Sequence, residues 1–381
     1  MNLRRLALVD VRSYRTLEWR PAPGLNLIVG ANGSGKTNLL EAIALTAGMR
    51  LRPLVREADL VRHGAEAMRI AADFEADAPT DGGSHEVTFQ LAGRSRRYLR
   101  DGNPARPGQE GMPSLVAFTP DDLDVVKGGP EARRHLLERD MAQLSVTYRD
   151  LLRRYNRALA QRNALLRAMA AGASGDAELT TWDEAVAGLG AAVQRWRAAA
   201  VSALAPRVAQ TYDSLAGAPS AMVLSYRPRL ALDDPGAGRP SPPPPAGDAH
   251  ADAARLLAAL RNARPAEVAR GYTLVGPHRD DLGFELAGSE MRGIASQGEQ
   301  RTAVVAVKLA LLGHLAEGRA DRPLLALDDV LSELDEMRQD RLMQAAKGYQ
   351  TFVTTAASVP GLRAQVWRAG GGGLSEWRAG A

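Results

Sequence analysis

Residues 30–37 read GANGSGKT, a G-x-x-x-x-G-K-T spacing. Gly30, Gly33 and Gly35 let a backbone curl until its N–H groups point inward, where phosphate oxygens would meet them. Ala31, Asn32, Ser34 and Asn38 complete the candidate loop. Lys36 carries a compact charge that fits between the β- and γ-phosphates of a nucleotide, and the Thr37 hydroxyl could ligate Mg²⁺. Only four of the 48 basic residues are Lys, the rest being Arg, and one of the four stands at this position. The bland alternative is a glycine turn that caps a helix. It is disfavoured by the apolar run LNLIV (25–29) before the loop and by the helical spacing of Leu39, Leu40, Ile43 and Ala47 after it, with Gly48 expected to close that helix.

A phosphate loop needs a carboxylate on a neighbouring strand. LLALDD (324–329) supplies two. Asp328 is expected in the Mg²⁺ shell and Asp329 beside the attacking water; two acids that merely end a strand are the alternative. SQGEQ (296–300) reads first as a capping box, Ser296-x-x-Glu299, that opens an amphipathic helix. SELD (332–335) follows the carboxylates.

The elements that must position these residues are an α/β set. Strands are expected within residues 3–29, over 68–76 and 85–100 with a turn at 81–83, and at the end of the chain alternating with helices. Apolar steps of three and four predict two helices, 131–169 and 179–215, packed as an antiparallel hairpin. Unbroken, each would span about 55–60 Å; Pro206 is expected to kink the second. Residues 234–249, DPGAGRPSPPPPAGDA, read as a disordered or polyproline insertion, and 270–286 as strand, turn, strand. The expected division is 1–118, a first ATPase lobe; 119–262, an inserted helical domain; and 263–381, a second lobe.

Bulk properties remove other classes. The absence of cysteine excludes disulfides and thiolate metal sites. No apolar run has membrane-spanning length and the N-terminus lacks a secretory signal, so a cytoplasmic protein without a membrane partner is expected. A net charge of +4 is an ordinary mixed surface.

Phosphate loop, SQGEQ, LLALDD and SELD come in the order of Walker A, signature, Walker B and D-loop in ABC-type ATPases. In that superfamily the signature serine contacts the γ-phosphate held by the other subunit. Ser296, Gln297, Gly298 and Glu299 would be that signature, and Asp335 would lie near the dimer seam. More specifically, the chain resembles the RecF family of recombination mediators through PGLNLIVGANGSGKTNLLEAI (23–43), FTPDDLDVVKGGPEARR (118–134), YNRALAQRNALL (155–166), RGYTLVGPHRDDL (270–282), SQGEQRT (296–302) and LLALDDVLSELD (324–335). GMRLRP (48–53), Glu299 and the proline insertion depart from the family pattern.

The resemblance implies an ABC-type head with a mixed sheet, a β-rich N-terminal subdomain and an inserted helical lobe. It implies an ATP-dependent homodimer that binds DNA at single-strand/double-strand gap junctions, works with RecO and RecR to load RecA in DNA repair, replication and the SOS response, and hydrolyses ATP slowly. An SMC-like chromosome-maintenance ATPase is the alternative, favoured by Glu299. Arg12 would flank the adenine, as an Arg does at that place in SMC-like heads. DNA contacts are expected on the first long helix at Arg149, Arg153, Arg154 and Arg157, with Arg162 nearby, and in RSRRYLR (94–100); for each, a solvated face is an equal alternative. His278 is read as structural, with Arg279 and Asp280 or Asp281 as ion-pair partners.

Overall fold

A computed structural model describes residues 1–51, 56–77, 83–230, 248–356 and 364–377. All but the last two residues of the proline insertion, the first two of the 81–83 turn and the end of GMRLRP lie outside them. In chain order the elements are β1 (Asn2–Val11), β2 (Tyr14–Trp19), β3 (Leu25–Val29), α1 (Lys36–Thr46), β4 (Ala67–Glu75), β5 (Ser84–Ala92), β6 (Ser95–Arg100), β7 (Asn103–Pro104) and β8 (Leu115–Phe118). Then follow α2 (Asp124–Lys127), α3 (Pro130–His135), α4 (Val146–Ala170), α5 (Asp176–Ala216), β9 (Met222–Arg227), α6 (Ala249–Arg270), β10 (Asp281–Leu286), β11 (Ser289–Glu290) and α7 (Gln297–Glu317). The chain closes with β12 (Leu324–Asp328), α8 (Glu336–Ala345), β13 (Thr351–Thr355), β14 (Gln365–Gly370) and β15 (Gly373–Glu376).

Two compact units result: Met1–Leu123 with Val304–Ala381, and Asp124–Ala303. The first holds two sheets. One is antiparallel, β2-β1-β4-β5-β6-β7, and the other runs β15-β14-β3-β13-β12-β8, with β15 alone antiparallel to its neighbour. β12 is buried at all five positions, as a strand covered on both faces must be, which is why it reads as an uninterrupted apolar run. Helix α1 is buried nearly all round because it packs on β1, β4 and β5 of one sheet and on β12 and β13 of the other. Gly48, at φ 72, follows its C-cap Ala47.

The second unit differs from expectation in three ways. The helix predicted over 131–169 starts only at Val146. Ser145 is extended and its side chain accepts the Tyr148 N–H, so it begins a new helix, and 131–145 breaks into α3, a π turn (Leu136–Asp140) and a 3₁₀ turn (Met141–Gln143). The second helix is longer than expected: α5 continues through Pro206 for 41 residues, about 62 Å. Finally, residues 263–303 belong to this unit and not to the first, because β10 pairs with β9 from Asp281–Arg227 to Leu286–Met222. The boundary expected at 262/263 therefore falls at 303/304.

Residues 271–276 form no strand, since side chains satisfy their backbone: Thr273 N–H donates to Asn163 Oδ1 (2.8 Å) and Leu274 N–H to Glu267 Oε1 (2.7 Å). The same Glu267 joins a buried cluster. Arg162, expected near a DNA-binding stripe, is 0% exposed. Its guanidinium donates to Asp183 Oδ1 (2.8 Å), Glu267 Oε2 (2.6 Å) and Thr273 Oγ1 (2.8 Å). A planar donor fork placed among two carboxylates and a hydroxyl ties α4, α5 and α6 together.

The GPHRDDL stretch does similar work. Asp280, fully buried, accepts hydrogen bonds from Gln194 Nε2 (2.9 Å), the Arg229 N–H (2.8 Å) and Tyr226 Oη, with Arg197 at 3.8 Å as counter-ion. Asp281 pairs with Arg133. Arg279, the expected partner of one or the other, instead donates to Thr273 O and lies over the Tyr272 ring. His278 donates from Nε2 to Thr273 O (3.0 Å), a tautomer assigned from its partners, and so accepts the Tyr155 hydroxyl at Nδ1 (2.7 Å). Burial lowers its pKa from 6.5 to about 4, so the ring is neutral.

Two stability predictions follow from this unit. Arg162→Met leaves the buried Glu267 without its cation and Asp183 with Arg264 alone, and is expected to lower the unfolding free energy by about 3–5 kcal/mol. Arg154→Met, at an exposed position of the same helix, should cost less than about 0.5 kcal/mol. Denaturant titrations of the pair measure both. For His278, the unfolded chain takes up a proton near 6.5 and the folded chain only near 4, so its stabilisation is complete above that window and is lost as pH falls through it. Between about pH 7.5 and about pH 5 the wild type should lose roughly 2 kcal/mol more than His278→Gln, in paired denaturation curves.

Candidate nucleotide-binding site

The loop from Gly30 to Gly35 joins the end of β3 to the first turn of α1. Gly33 and Gly35 take φ 80 and 100, the left-handed region open to glycine. Gly30 is needed for space: a Cβ there would sit 2.6 Å from both Ala369 O, in β14, and Ser34 Oγ. Around the loop stands the turn between β1 and β2. Tyr14, buried, donates its hydroxyl to Gly35 O (3.1 Å), and desolvation pushes its pKa up to about 12, so it stays a donor. Asn38 Nδ2 donates to Ser13 Oγ (3.1 Å). Arg12 lies in this same turn at φ 51, its N–H bound to Leu60 O (2.9 Å).

Lys36 is 8% exposed, and its ammonium donates to Gly30 O (2.6 Å) and Ala31 O (3.0 Å). No carboxylate among the described residues is within ion-pair distance of it. Ser34 Oγ is buried in the loop without a hydrogen-bond partner. A buried cation lacking a counter-ion, next to an unused donor and at a helix N-terminus, fits an anion.

The sheet brings the carboxylates to the same edge. Asp328 ends β12, and its Oδ1 accepts the Thr37 hydroxyl (3.0 Å) and the Thr354 hydroxyl (2.7 Å). With its proton committed to Asp328, the Thr37 oxygen keeps lone pairs for a cation; a hydroxyl and a carboxylate oxygen are the hard donors Mg²⁺ prefers. Asp329 takes φ 55, left-handed for a non-glycine residue, and its N–H donates to Thr354 O (3.2 Å) and Oγ1 (3.0 Å). Sequence reasoning missed Tyr14 and Thr354. Nothing in their immediate sequence marks them: one lies just past a two-residue turn, the other is one of three threonines in a buried strand.

The remaining candidates lie on other elements. Ser296 and Glu299 form a complete capping box at the start of the 21-residue α7. The Ser296 N–H and hydroxyl both donate to Glu299 Oε2 (2.7 Å each), and the Glu299 N–H donates back to Ser296 Oγ (3.3 Å). Ser296 and Gln297 are exposed, and Gly298 accepts the Thr302 hydroxyl at its carbonyl (2.7 Å). Asp335 caps α8 by accepting the Arg338 N–H (2.9 Å), which together with the Arg338 guanidinium keeps its carboxyl below the ordinary range. On α4, Arg149 donates to Ala142 O (3.3 Å) and Arg153 pairs with Asp150, while Arg154 and Arg157 are exposed. Of 94–100, Arg96 pairs with Glu57 (2.9 Å) and Arg100 with His85 (2.8 Å). No described helix is long and apolar enough to cross a membrane.

Comparison with known proteins adds a family. The model of the RecF/RecN/SMC N terminal domain matches residues 2–359. The chain is 40% identical to the DNA replication and repair protein RecF of Synechococcus sp. (strain JA-3-3Ab), over 93% of this chain and 91% of that one. It is 38% identical to the protein of the same name from Moorella thermoacetica, over 93% and 90%. Among solved structures it is similar to the recombination mediator protein RecF-ATP in the RecFOR pathway, with TM-score 0.86, 25% identity and coverage of 99% and 98%. An Smc head bound to the C-winged helix domain of ScpA shares the fold alone, with TM-score 0.53 and 16% identity over 99% and 98%.

The loop geometry is testable without a ligand. Gly30→Ala forces a Cβ onto the Ala369 carbonyl, and overpacking of this kind costs about 1–3 kcal/mol. Gly24→Ala, whose Cβ would meet nothing within 4 Å, serves as the control. Thermal unfolding should separate the two by several degrees, in that order.

Proposed function

This chain belongs to the RecF family, and from that premise we propose that it is an ATP-dependent DNA-binding protein of recombinational repair and replication, closed as a homodimer by ATP. One observation carries the ATP reading: a buried Lys36 ammonium held only by loop carbonyls, beside an unpartnered Ser34 hydroxyl. In the proposed site the N–H groups of residues 30–37 and Lys36 bind the phosphates, and Asn38 and Arg12 flank the nucleotide. Mg²⁺, when bound, would neutralise charge on the β- and γ-phosphates. Thr37 and Asp328 are its proposed holders. Asp329 is proposed to orient the attacking water; its carboxylate is one methylene shorter than a Glu at that place, which suits slow hydrolysis and a switch rather than a motor.

The dimer reading is supported by the exposed capping box. Ser296, Gln297 and Gly298 present a helix N-terminus, an anion-favouring end. In the dimer this end would meet the γ-phosphate bound by a second copy, with Asp335 near the seam. Glu299, the residue that favours an SMC-like protein, has a local role here as the carboxylate of the box. DNA at single-strand/double-strand junctions is the proposed polynucleotide, with RecO and RecR as partners, RecA as the protein loaded and the cytoplasm as the compartment. Of the four arginines on α4, Arg154 and Arg157 are the better candidates for phosphate contact, since Arg149 and Arg153 already have partners.

Lys36→Met is expected to abolish ATP binding and, with it, dimerisation. Ser296→Arg is expected to keep ATP affinity within about threefold and lose the dimer, in sedimentation with and without ATP. Normal ATP-dependent dimerisation of the Ser296 variant would remove the shared-site reading. With ATP, gapped DNA should bind more tightly than single-stranded or blunt duplex DNA; equal, ATP-independent affinity for all three would contradict the mediator role.

A further inference from the structure

We propose that Thr354 is a positioning residue for ATP hydrolysis, its one hydroxyl fixing Asp328 by the side chain and Asp329 by the backbone. The inference rests on the ATPase reading above. Thr354 is 0% exposed and lies on β13, between the strand that ends in the phosphate loop and the strand that ends in the carboxylates. Valine would match its volume and suit a strand equally well. A hydroxyl at such a site is unfavourable unless it is hydrogen-bonded. This one is used twice, and the directions are forced. A carboxylate oxygen can only accept, so the single proton goes to Asp328 Oδ1 (2.7 Å). An amide N–H can only donate, so the lone pair takes the Asp329 N–H (3.0 Å).

The second, independent observation is the backbone of Asp329. At φ 55 it sits in the left-handed region, which Asp enters more readily than most non-glycine residues, and here its neighbours hold it there. The Thr354 carbonyl and hydroxyl both hold its N–H, and the Ser332 hydroxyl holds its carbonyl (2.7 Å). A backbone held in this way, at the residue proposed to orient water, has its geometry set by its neighbours. Thr354 therefore links two functions that the sequence presents as adjacent letters: the orientation of the carboxylate proposed to hold Mg²⁺, and the conformation of the carboxylate proposed beside the water.

Thr354→Val removes the hydroxyl at constant shape and Thr354→Ser restores it. Val is expected to keep ATP affinity within about threefold, lower turnover at least about tenfold and lengthen the life of the ATP dimer. In the nucleotide-free chain, amide exchange of the peptide spanning 328–334 should speed up in Val and return to the wild-type rate in Ser. Should Val not fold, Thr354→Ala makes the same comparison. Turnover by Val within about twofold of wild type, a Ser variant no better than Val, or exchange unchanged by Val would each overturn the role of Thr354. A wild type that turned over no ATP would refute the ATPase reading itself, which none of those three outcomes does.

Discussion

The parallel pairing of β3, β13 and β12 is the constraint on which the candidate site depends. Its register sets Ile28 opposite Thr354 and Thr354 opposite Asp328. Three segments far apart in sequence thus end at one edge, and the phosphate loop, the Thr354 hydroxyl and the carboxylate pair share it. A one-residue slip of β12 would turn the Asp328 side chain to the opposite face of the sheet. Asp328 itself opposes that slip: in the other register its buried carboxylate would lose the Thr37 and Thr354 hydroxyls that satisfy it. Helix α1 then fixes Lys36 and Thr37, because it is clamped between this sheet and the antiparallel one.

What could be read from the sequence follows from how local each feature is. The phosphate loop, the buried run before Asp328 and the Ser296–Glu299 box are set by residues within a few positions of one another, and each stands where its motif predicts. The failures are non-local. Arg162 lies at a spacing that suits a basic stripe, yet three helices converge on it, and only their packing makes it a core residue. Residues 263–303 look like the start of the second ATPase lobe until β10 finds β9, some fifty residues earlier in the chain. The break at Ser145 was local, and the apolar steps of three and four running through it concealed it. Thr354 was invisible because its two partners stand at the end of another strand and just past it.

The stretch most particular to the RecF resemblance, GPHRDDL, proves to be structural. His278 is neutral and held by Tyr155 and Thr273; Asp280 is buried with Arg197 and Tyr226; Asp281 holds Arg133. A buried charge that must be satisfied by several elements at once restricts sequence as tightly as catalysis does. A motif that distinguishes a family need not be where the family does its chemistry.

The capping box bears on how firmly a second copy could close the site. Ser296 gives its hydroxyl proton to Glu299 and accepts the Glu299 N–H, so the hydroxyl is already satisfied within its own helix. To donate to a phosphate it must release the carboxylate, and that carboxylate then stands as a negative charge close to the triphosphate. The helix N-terminus attracts the phosphate while Glu299 repels it, and part of the attraction is offset. A Gln at this position would keep the cap without the repulsion. On the reading proposed here, Glu299 would weaken the ATP-closed dimer, and the short carboxylate of Asp329 would slow the hydrolysis that opens it. The two would then act in opposite directions on the lifetime of the closed state, one from the loop side and the other from the signature side of the proposed shared nucleotide.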